Sequence, residues 1–292
     1  MRKIKELLIE KSMFFSAMIT IAVTVGIVLV LAIEAFRFFS EVSILDFFTD
    51  TQWTPLFTDK HFGILPLLAG TLLTSFIAIS VALPIGISIS IYLSEYAPKS
   101  FRKTIKPLLE LLAAVPTVVY GFFALIVVTP FLQGIIPNLS GFNSLSAGIV
   151  MGIMIIPYVS SLSEDALHAV PGSLREASFG MGATKLQTAF KVIVPAASSG
   201  IIVSIILAIS RAIGETMIVA IAAGQQPRLT FDPTVPVETI TAYIVQVSLG
   251  DVQHGSIEYR TIFAAGITLF VFTFFLNTLS YRIRKKYREK YE

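Results

Sequence analysis

The 292-residue sequence has no cysteine, only three histidines, and few charged residues, which make up 14% of the chain. The lack of cysteine excludes disulfides and thiolate metal sites. The sequence also lacks the Gly-x4-Gly-Lys-Ser/Thr segment that cradles ATP phosphates. No serine–histidine–aspartate or zinc-binding motif indicates catalysis. The sequence therefore predicts a chain that is not itself an enzyme and carries no cofactor.

Hydrophobic residues make up 54% of the chain and are concentrated in long runs. Crossing a bilayer takes roughly 20 apolar residues as a helix, and six runs reach about that length: 13–36, 63–95, 107–132, 145–162, 196–223 and 260–281. They predict an all-α polytopic membrane protein with six transmembrane helices. The first run is too long for a signal peptide and is expected to remain as a span. Prolines predict an interfacial entry and a kink in the second run (Pro66, Pro84) and bends in the third and fourth (Pro116, Pro157).

The basic residues are distributed unequally between the two sides of the membrane. Of the 22 Lys and Arg residues, 17 fall on one side, the basic side, together with both termini and the loops after the second and fourth runs. The opposite, acidic side has four basic residues (Arg37, Lys60, Arg228, Arg260) and eight acids (Glu41, Asp46, Asp50, Asp59, Asp232, Glu238, Asp251, Glu258). By the positive-inside rule, the basic side and both termini are cytoplasmic. The basic tail, 283–292, indicates contact with anionic membrane lipid rather than with nucleic acid.

Two loops on the acidic side are long, about 37–62 and 224–259. The first is rich in aromatic residues: Phe38, Phe39, Phe47, Phe48, Trp53 and Phe57. Aromatic side chains favour the headgroup region, so interfacial anchoring is one interpretation. Docking of an external partner is the other.

The loop 171–195 on the basic side has the pattern of a folded unit. Ser173 with Glu176 and Thr184 with Gln187 each fit a capping box, which predicts two short helices. Gly180 and Gly182 lie between them and permit the positive φ of a sharp reversal, and Pro195 closes the second helix or opens the next span. Exposed apolar side chains are expected at Leu174, Phe179, Met181, Leu186 and Phe190. This pattern fits a docking element and a plain connection equally well.

The same loop resembles the cytoplasmic loop of importer-type ABC transporter permeases. That pattern reads Glu-Ala-Ala, three residues, Gly, nine residues, Ile-x-Leu-Pro, and Glu176, Ala177, Gly182 and Pro195 stand at the matching positions. Ser178 replaces the second Ala, and valines replace Ile and Leu. The resemblance implies that the loop is the coupling element that sits on an ATPase subunit, with Ser173, Gly180 and Thr184 shaping it.

Three further segments narrow the resemblance: 92-YLSEYAP-98, 110-ELLAAVPTVVYGFFAL-125 and 210-SRAIGETM-217. They are similar to the PstC-type permease of phosphate-specific importers, and somewhat less to the PstA type. The resemblance implies a type I, MetI-like permease core of five helices over 63–282, preceded by an extra helix and loop over 1–62. It also implies a bacterial or archaeal cytoplasmic membrane, a second, PstA-type permease, two ATPase subunits that hold ATP-Mg, and an extracytoplasmic phosphate-binding protein.

The fifth run contains two full charges, Arg211 and Glu215. Each costs about 2.5–3.5 kcal/mol in mid-membrane on insertion scales. Because they are four residues apart, one helical face would carry both, and they could form a structural ion pair. Alternatively, Arg211 contacts a phosphate anion in the translocation path, and Glu215 competes for the guanidinium or accepts a bond from a protonated phosphate. In the phosphate-permease family this pair is associated with transport.

The remaining polar candidates have simpler interpretations. Glu164, Asp165 and His168 could in principle bind a metal, but solvated loop charges explain them better. Glu110 is expected to pair with Lys106, one turn away, and Glu95 could contact a partner chain. His61 and His254 are expected to be ordinary surface residues.

Three other functions stay open: a permease for another oxyanion (phosphonate, sulfate or molybdate), an ion channel, and a membrane-embedded enzyme. The first would share the coupling loop, whereas the last two would need no ATPase partner.

Overall fold

The computed structural model describes the fold of residues 2–287 and the side chains of residues 6–279, 281 and 282. The side chains of the predicted basic tail, 283–292, therefore lie outside the described part of the chain. The helices are α1 (Arg2–Phe39), α2 (Ile44–Thr49), α3 (Leu65–Ile91), α4 (Lys99–Ala113), α5 (Thr117–Phe123), α6 (Thr129–Gln133), α7 (Ser144–His168), α8 (Gly172–Gly180), α9 (Lys185–Thr188), α10 (Val194–Ala196), α11 (Ser198–Ile213), α12 (Met217–Ala222), α13 (Ile240–Leu249) and α14 (Ile257–Tyr287). Short π-helical turns continue α3, α5 and α9 at Tyr92–Tyr96, Ala124–Val128 and Ala189–Ile193.

Within the described residues, four helices are long and apolar enough to cross a membrane: Glu6–Phe39, Leu65–Tyr96, Ser144–His168 and Ile257–Leu279. Two bent pairs, Lys99–Ala113 with Thr117–Gln133 and Lys185–Ala196 with Ser198–Ile213, bring the number to six if each pair is one span. The predicted six-helix membrane fold is confirmed.

The structure corrects the boundaries of the third and fifth predicted spans. The third bends by 84° at residues 114–116, so residues 107–113 belong to α4, an amphipathic helix with no buried residue. A bend at Pro116 was predicted, because proline disfavours a continuous helix before it. The fifth is interrupted at residues 214–216, between α11 and α12. Pro84 and Pro157 lie inside helices that continue past them, and Pro66 lies in the first turn of α3.

The core of the helical bundle is formed by α3 and α7, which pack most extensively. Small residues allow this close approach. A Cβ atom added at Gly148 would lie 2.7 Å from the Ile77 side chain, and one at Gly152 would lie 2.7 Å from the Ala78 carbonyl oxygen. The first span is peripheral by contrast. The most apolar part of α1 is not buried inside the chain, and α1 packs mainly on α14.

A second core lies on the acidic side and includes part of the aromatic loop. Phe38, Phe47 and Trp53 are buried there with Tyr243 of α13, whereas Phe48 and Phe57 stay exposed. Trp53 meets Tyr243 edge to face with ring centroids 5.0 Å apart. Both sequence-based interpretations were therefore wrong for the three buried rings, which are core residues. The α13 helix, absent from the prediction, packs Tyr243 on Trp53, and residues of α3 and α14 complete the cluster.

Candidate translocation site and coupling loop

The loop 171–195 folds into two short helices, as predicted, but only one has the predicted cap. Thr184 Oγ1 accepts from the Gln187 backbone N–H (3.3 Å) and Gln187 Oε1 accepts from the Thr184 N–H (2.9 Å), which completes a capping box. The predicted Ser173–Glu176 box was wrong, because α8 begins at Gly172 behind Pro171 and has no side-chain cap. Pro171 takes the N-cap position, where its ring fixes φ near the observed −54° but offers no side-chain acceptor to the first-turn N–H groups.

The reversal between the two helices depends on one glycine rather than two. Gly182 has φ of +81°, the left-handed region that favours glycine, whereas Gly180 is the last residue of α8. A hydrogen bond of 2.8 Å between the Ser178 and Thr188 hydroxyls joins the two helices across the turn. Pro195 lies near the end of the second helical stretch, Lys185–Ala196, which bends by 72° into α11.

The outer surface of this unit is open to a partner. Four of the five expected apolar side chains are exposed, Phe179, Met181, Leu186 and Phe190, and Met181 is 89% exposed. Leu174 is the exception, since it packs against the cluster around Ile193. Glu176 and Ala177 are also exposed.

Arg175 joins the loop 171–195 to the ends of α3 and α7 through hydrogen bonds that the sequence did not predict. Its Nη2 donates to Glu95 Oε1 (2.9 Å) and its Nε donates to Glu95 Oε2 (3.3 Å), a bidentate pair at the end of α3. The guanidinium also donates to the carbonyl oxygens of Leu167 (2.8 Å) and Val170 (2.7 Å) at the end of α7. Glu95 therefore binds within this chain, and α8 is joined to the two helices that form the core.

Glu164 and Asp165, at the basic-side end of α7, are paired with cations of the chain itself. Glu164 is fully buried and contacts Arg102 and Lys106, and Lys106 also contacts Asp165. Arg102 approaches His168 at 3.2 Å. Glu164 is thus not a solvated loop charge, and the expected pairing of Lys106 with Glu110 is replaced by this network. In the part of the chain that the structure describes, no group of three His, Asp or Glu side chains could hold a metal.

At the interruption between α11 and α12, Glu215 acts as a helix cap. Its Oε1 accepts from the backbone N–H groups of Met217 (3.1 Å) and Ile218 (3.3 Å), the first residues of α12. Its own carbonyl oxygen accepts from Thr241 Oγ1 at 2.6 Å. A carboxylate is favourable there because it satisfies N–H groups that lack helical partners and meets the positive end of the helix dipole.

Arg211 does not pair with Glu215. The described ion pairs include no contact between them, because α11 ends at Ile213 and the four-residue spacing no longer places both on one face. Arg211 is exposed and its guanidinium carbon lies 5.7 Å from the centre of the Tyr158 ring on α7, a cation–π contact. It lies 13 residues into α11, about 20 Å along the helix. An exposed cation at that depth is costly against lipid, so this face must meet water or another chain.

Comparison with known proteins agrees with this geometry. The model of the binding-protein-dependent transport system inner membrane component family matches residues 82–289. The chain belongs to this family.

Its relatives include permeases of known transport systems. The chain is 35% identical over 260 residues to a probable ABC transporter permease of Bacillus subtilis. The matched region covers 88% of this chain and 84% of the relative. It is 35% identical over 253 residues to the phosphate transport system permease protein PstC of Mesorhizobium japonicum, covering 80% and 76% of the two chains. A bacterial alginate ABC transporter, solved in complex with an alginate pentasaccharide-bound periplasmic protein, shares the fold with a TM-score of 0.61 at 19% identity, covering 95% of this chain and 97% of that one.

Proposed function

We propose that this chain is the permease subunit of an ATP-driven importer of inorganic phosphate and forms half of the translocation path. The exposed guanidinium of Arg211, far inside an otherwise apolar helix, carries the proposal. A guanidinium presents a planar fork of donors that matches a phosphate oxygen pair and stays charged at any physiological pH. The phosphate permease relatives support the choice of substrate.

The path is completed by a second, PstA-type permease that faces Arg211. The exposed apolar surface of the coupling loop fits a groove on an ATPase subunit. Two such subunits, which hold ATP-Mg, supply the energy, and an extracytoplasmic phosphate-binding protein delivers the anion. The basic side is then the cytoplasmic side, with both termini in the cytoplasm.

Arg175 gives the coupling loop a direct mechanical route into the membrane. When the ATPase subunits close, α8 moves, and the Glu95 and Leu167 contacts pass that movement to the ends of α3 and α7. Because these two helices pack closely through glycines, they move as one unit. Alternating access follows from the rocking of this unit against the second permease.

The role of Glu215 differs from the one expected from sequence. Its Oε1 accepts from the N–H groups of α12, so we assign it to holding the interruption open beside Arg211 rather than to competing with phosphate for the guanidinium. The interruption positions Arg211, and Arg211 contacts the anion.

The test is phosphate uptake by cells or proteoliposomes that contain the whole importer. Arg211→Gln should abolish uptake while the complex still assembles with its ATPase subunits. Arg228→Gln is the matched control, since Arg228 is an exposed arginine on the acidic side. Near-normal uptake by the Arg211 variant would refute the anion contact. Competition by sulfate, phosphonate or molybdate for uptake would instead identify another oxyanion as the substrate, and activity without any ATPase subunit would indicate a channel.

A further inference from the structure

A cavity of about 170 Å³ lies on the acidic side, between the loop that carries Trp53 and the segment before α13. One wall has the amide side chains of Gln225, Gln226 and Gln246, and another has the rings of Trp53, Phe57 and Tyr243. The carboxyl group of Glu238 also lines it. No basic residue is among the described residues that line the cavity.

Glu238 is buried without a partner. The residue is 1% exposed, and its Oε1 has no hydrogen-bond partner among the described residues. Burial raises its pKa to about 8. Such groups are usually paired in folded proteins, because an unpaired buried carboxyl loses its hydration without compensation.

The backbone holds this carboxyl in place. A Cβ atom at Gly70 of α3 would lie only 2.1 Å from the Glu238 carbonyl oxygen, and Thr71 Oγ1 accepts from the Ile240 N–H at 3.1 Å. Gln225, at the mouth, has φ of +48°, a strained conformation for a residue other than glycine. The site is therefore built rather than accidental.

The chemistry of the cavity selects a cation. Burial favours the protonated form of Glu238, whereas an incoming cation favours the ionised form and pairs with it. Amide oxygens and the faces of aromatic rings also attract positive charge. A bare metal ion would lack ligands, because the described part of the chain holds no group of three His, Asp or Glu side chains suited to a metal. Phe57 and Gln226 are exposed and line the same cavity as the buried carboxyl, so a long side chain is the kind of cation that fits there.

The surrounding surface also suits a basic partner. The acidic side carries twice as many acids as basic residues. Three of its four basic residues are paired within the chain, Arg37 with Glu34, Lys60 with Glu258 and Arg260 with Glu41. That leaves six of the eight acids outside these pairs against one further basic residue, the exposed Arg228.

We propose that this cavity receives a lysine or arginine side chain of the extracytoplasmic binding protein when that protein docks, an inference that rests on the proposed function. The cavity lies at one end of α12, where Gln225 Nε2 donates to the Ala220 carbonyl oxygen (2.7 Å), and Glu215 caps the other end. Docking thus contacts the same short helix that borders Arg211. The inserted cation replaces the missing partner of Glu238.

The experiment measures binding of the phosphate-loaded binding protein to the whole permease–ATPase complex in nanodiscs whose lipids have no amine headgroup. Glu238→Gln keeps the shape but cannot ionise to pair with the incoming cation, and it should raise the dissociation constant by roughly thirtyfold or more, as for truncation of a buried charge pair. Asp251→Asn is the matched control, because Asp251 is an exposed acid on the same side that does not line the cavity. It should change the constant by less than about twofold.

A second variant avoids any question of folding. Gln226 is exposed at the mouth, so Gln226→Glu adds an acid without disturbing the core. It should tighten docking about twofold to fivefold, and Gln226→Lys should weaken it.

Unchanged docking in the Glu238 variant overturns the inference, and so does weaker docking in Gln226→Glu, which would indicate an anionic occupant. A Glu238 variant that docks normally but loses uptake also overturns it, since the cavity would then serve the substrate. If the unmodified complex does not bind the phosphate-loaded protein at all, the proposed function fails instead.

Discussion

Two arginine–glutamate combinations in this chain behave in opposite ways. Arg211 and Glu215 are four residues apart and do not pair, whereas Arg175 and Glu95 are 80 residues apart and form a bidentate pair. In the first case the helix ends between the two residues, and each binds a different group. In the second, the ends of α3, α7 and α8 meet on the basic side. The comparison teaches that i,i+4 spacing predicts a pair only where the helix is continuous.

The largest expected effect tests the first combination. Arg211→Glu should lower phosphate uptake roughly hundredfold or more, since hydrogen bonds to charged groups contribute about 1.5–3 kcal/mol each. The charge-reversed double variant Arg211→Glu/Glu215→Arg should be equally inactive, because the two side chains do not touch. Uptake rates from proteoliposomes measure this. Recovery of uptake in the double variant would show that the two residues pair in some state of the transport cycle.

A double-mutant cycle tests the second combination. Glu95→Gln and Arg175→Ala should each lower the thermal stability of the detergent-purified complex, and their coupling energy should be about 1–3 kcal/mol, as expected for contacting charges in one network. Both side chains are largely buried, so solvent screens the pair less than a surface pair. Phosphate uptake per ATP hydrolysed should also fall, because α8 loses its attachment to α3. Additive stability changes would argue against direct coupling.

Features with a local signal in the sequence could be predicted from it. The six spans followed from hydrophobic runs, because a helix in lipid must satisfy its backbone internally and needs about 20 apolar residues. The two-helix loop 171–195 and its capping box followed from local patterns at Thr184 and Gly182. Family membership followed from the same loop, since its residues stand at fixed spacings.

Long-range contacts had no such local signal. The partner of Arg175 depends on how three helix ends meet, and burial of Trp53 depends on α13, which is too short to read as a span. The interruption at Gly214 was not predicted, because it lies within one long hydrophobic run and no proline there signals a helix end. The unpaired carboxyl of Glu238 could not be separated from the other acids of its loop, since burial is a property of the fold.

A smaller effect separates the two predicted capping boxes. Thr184→Ala removes an observed cap and should destabilise the loop 171–195 by about 1 kcal/mol. Ser173→Ala should change stability by less than about 0.5 kcal/mol, as is usual for exposed substitutions that remove no such feature. Hydrogen exchange of the loop amides in the purified complex would measure both. Equal losses of protection would mean that Ser173 caps α8 after all.

The smallest expected effect concerns a third acid–base pair, on the acidic side. His61 Nδ1 lies 2.8 Å from Asp50 Oδ2 in the loop whose backbone joins Trp53 to Phe62. The hydrogen bond to Asp50 raises the pKa of His61 above 6.5. Burial opposes the shift at Asp50, but its bonds from His61 and Gln52 hold its pKa below 3.8. This contact includes a histidine, whose ordinary pKa of about 6.5 lies close to physiological pH.

The sign of its pH dependence follows from these shifts. Because the folded pKa of His61 is raised, its contribution to stability is complete below pH 6.5 and is lost as pH rises through the folded value. The Asp50 contribution is lost only in acid, as pH falls through its lowered pKa. Trp53 is the single tryptophan of the chain, so its fluorescence reports the loop without labelling. A small transition with a midpoint above pH 6.5 should disappear in His61→Gln and persist in Glu238→Gln, which assigns it to the histidine rather than to the carboxyl in the neighbouring cavity. Loss of the transition in the Glu238 variant alone would reverse that assignment.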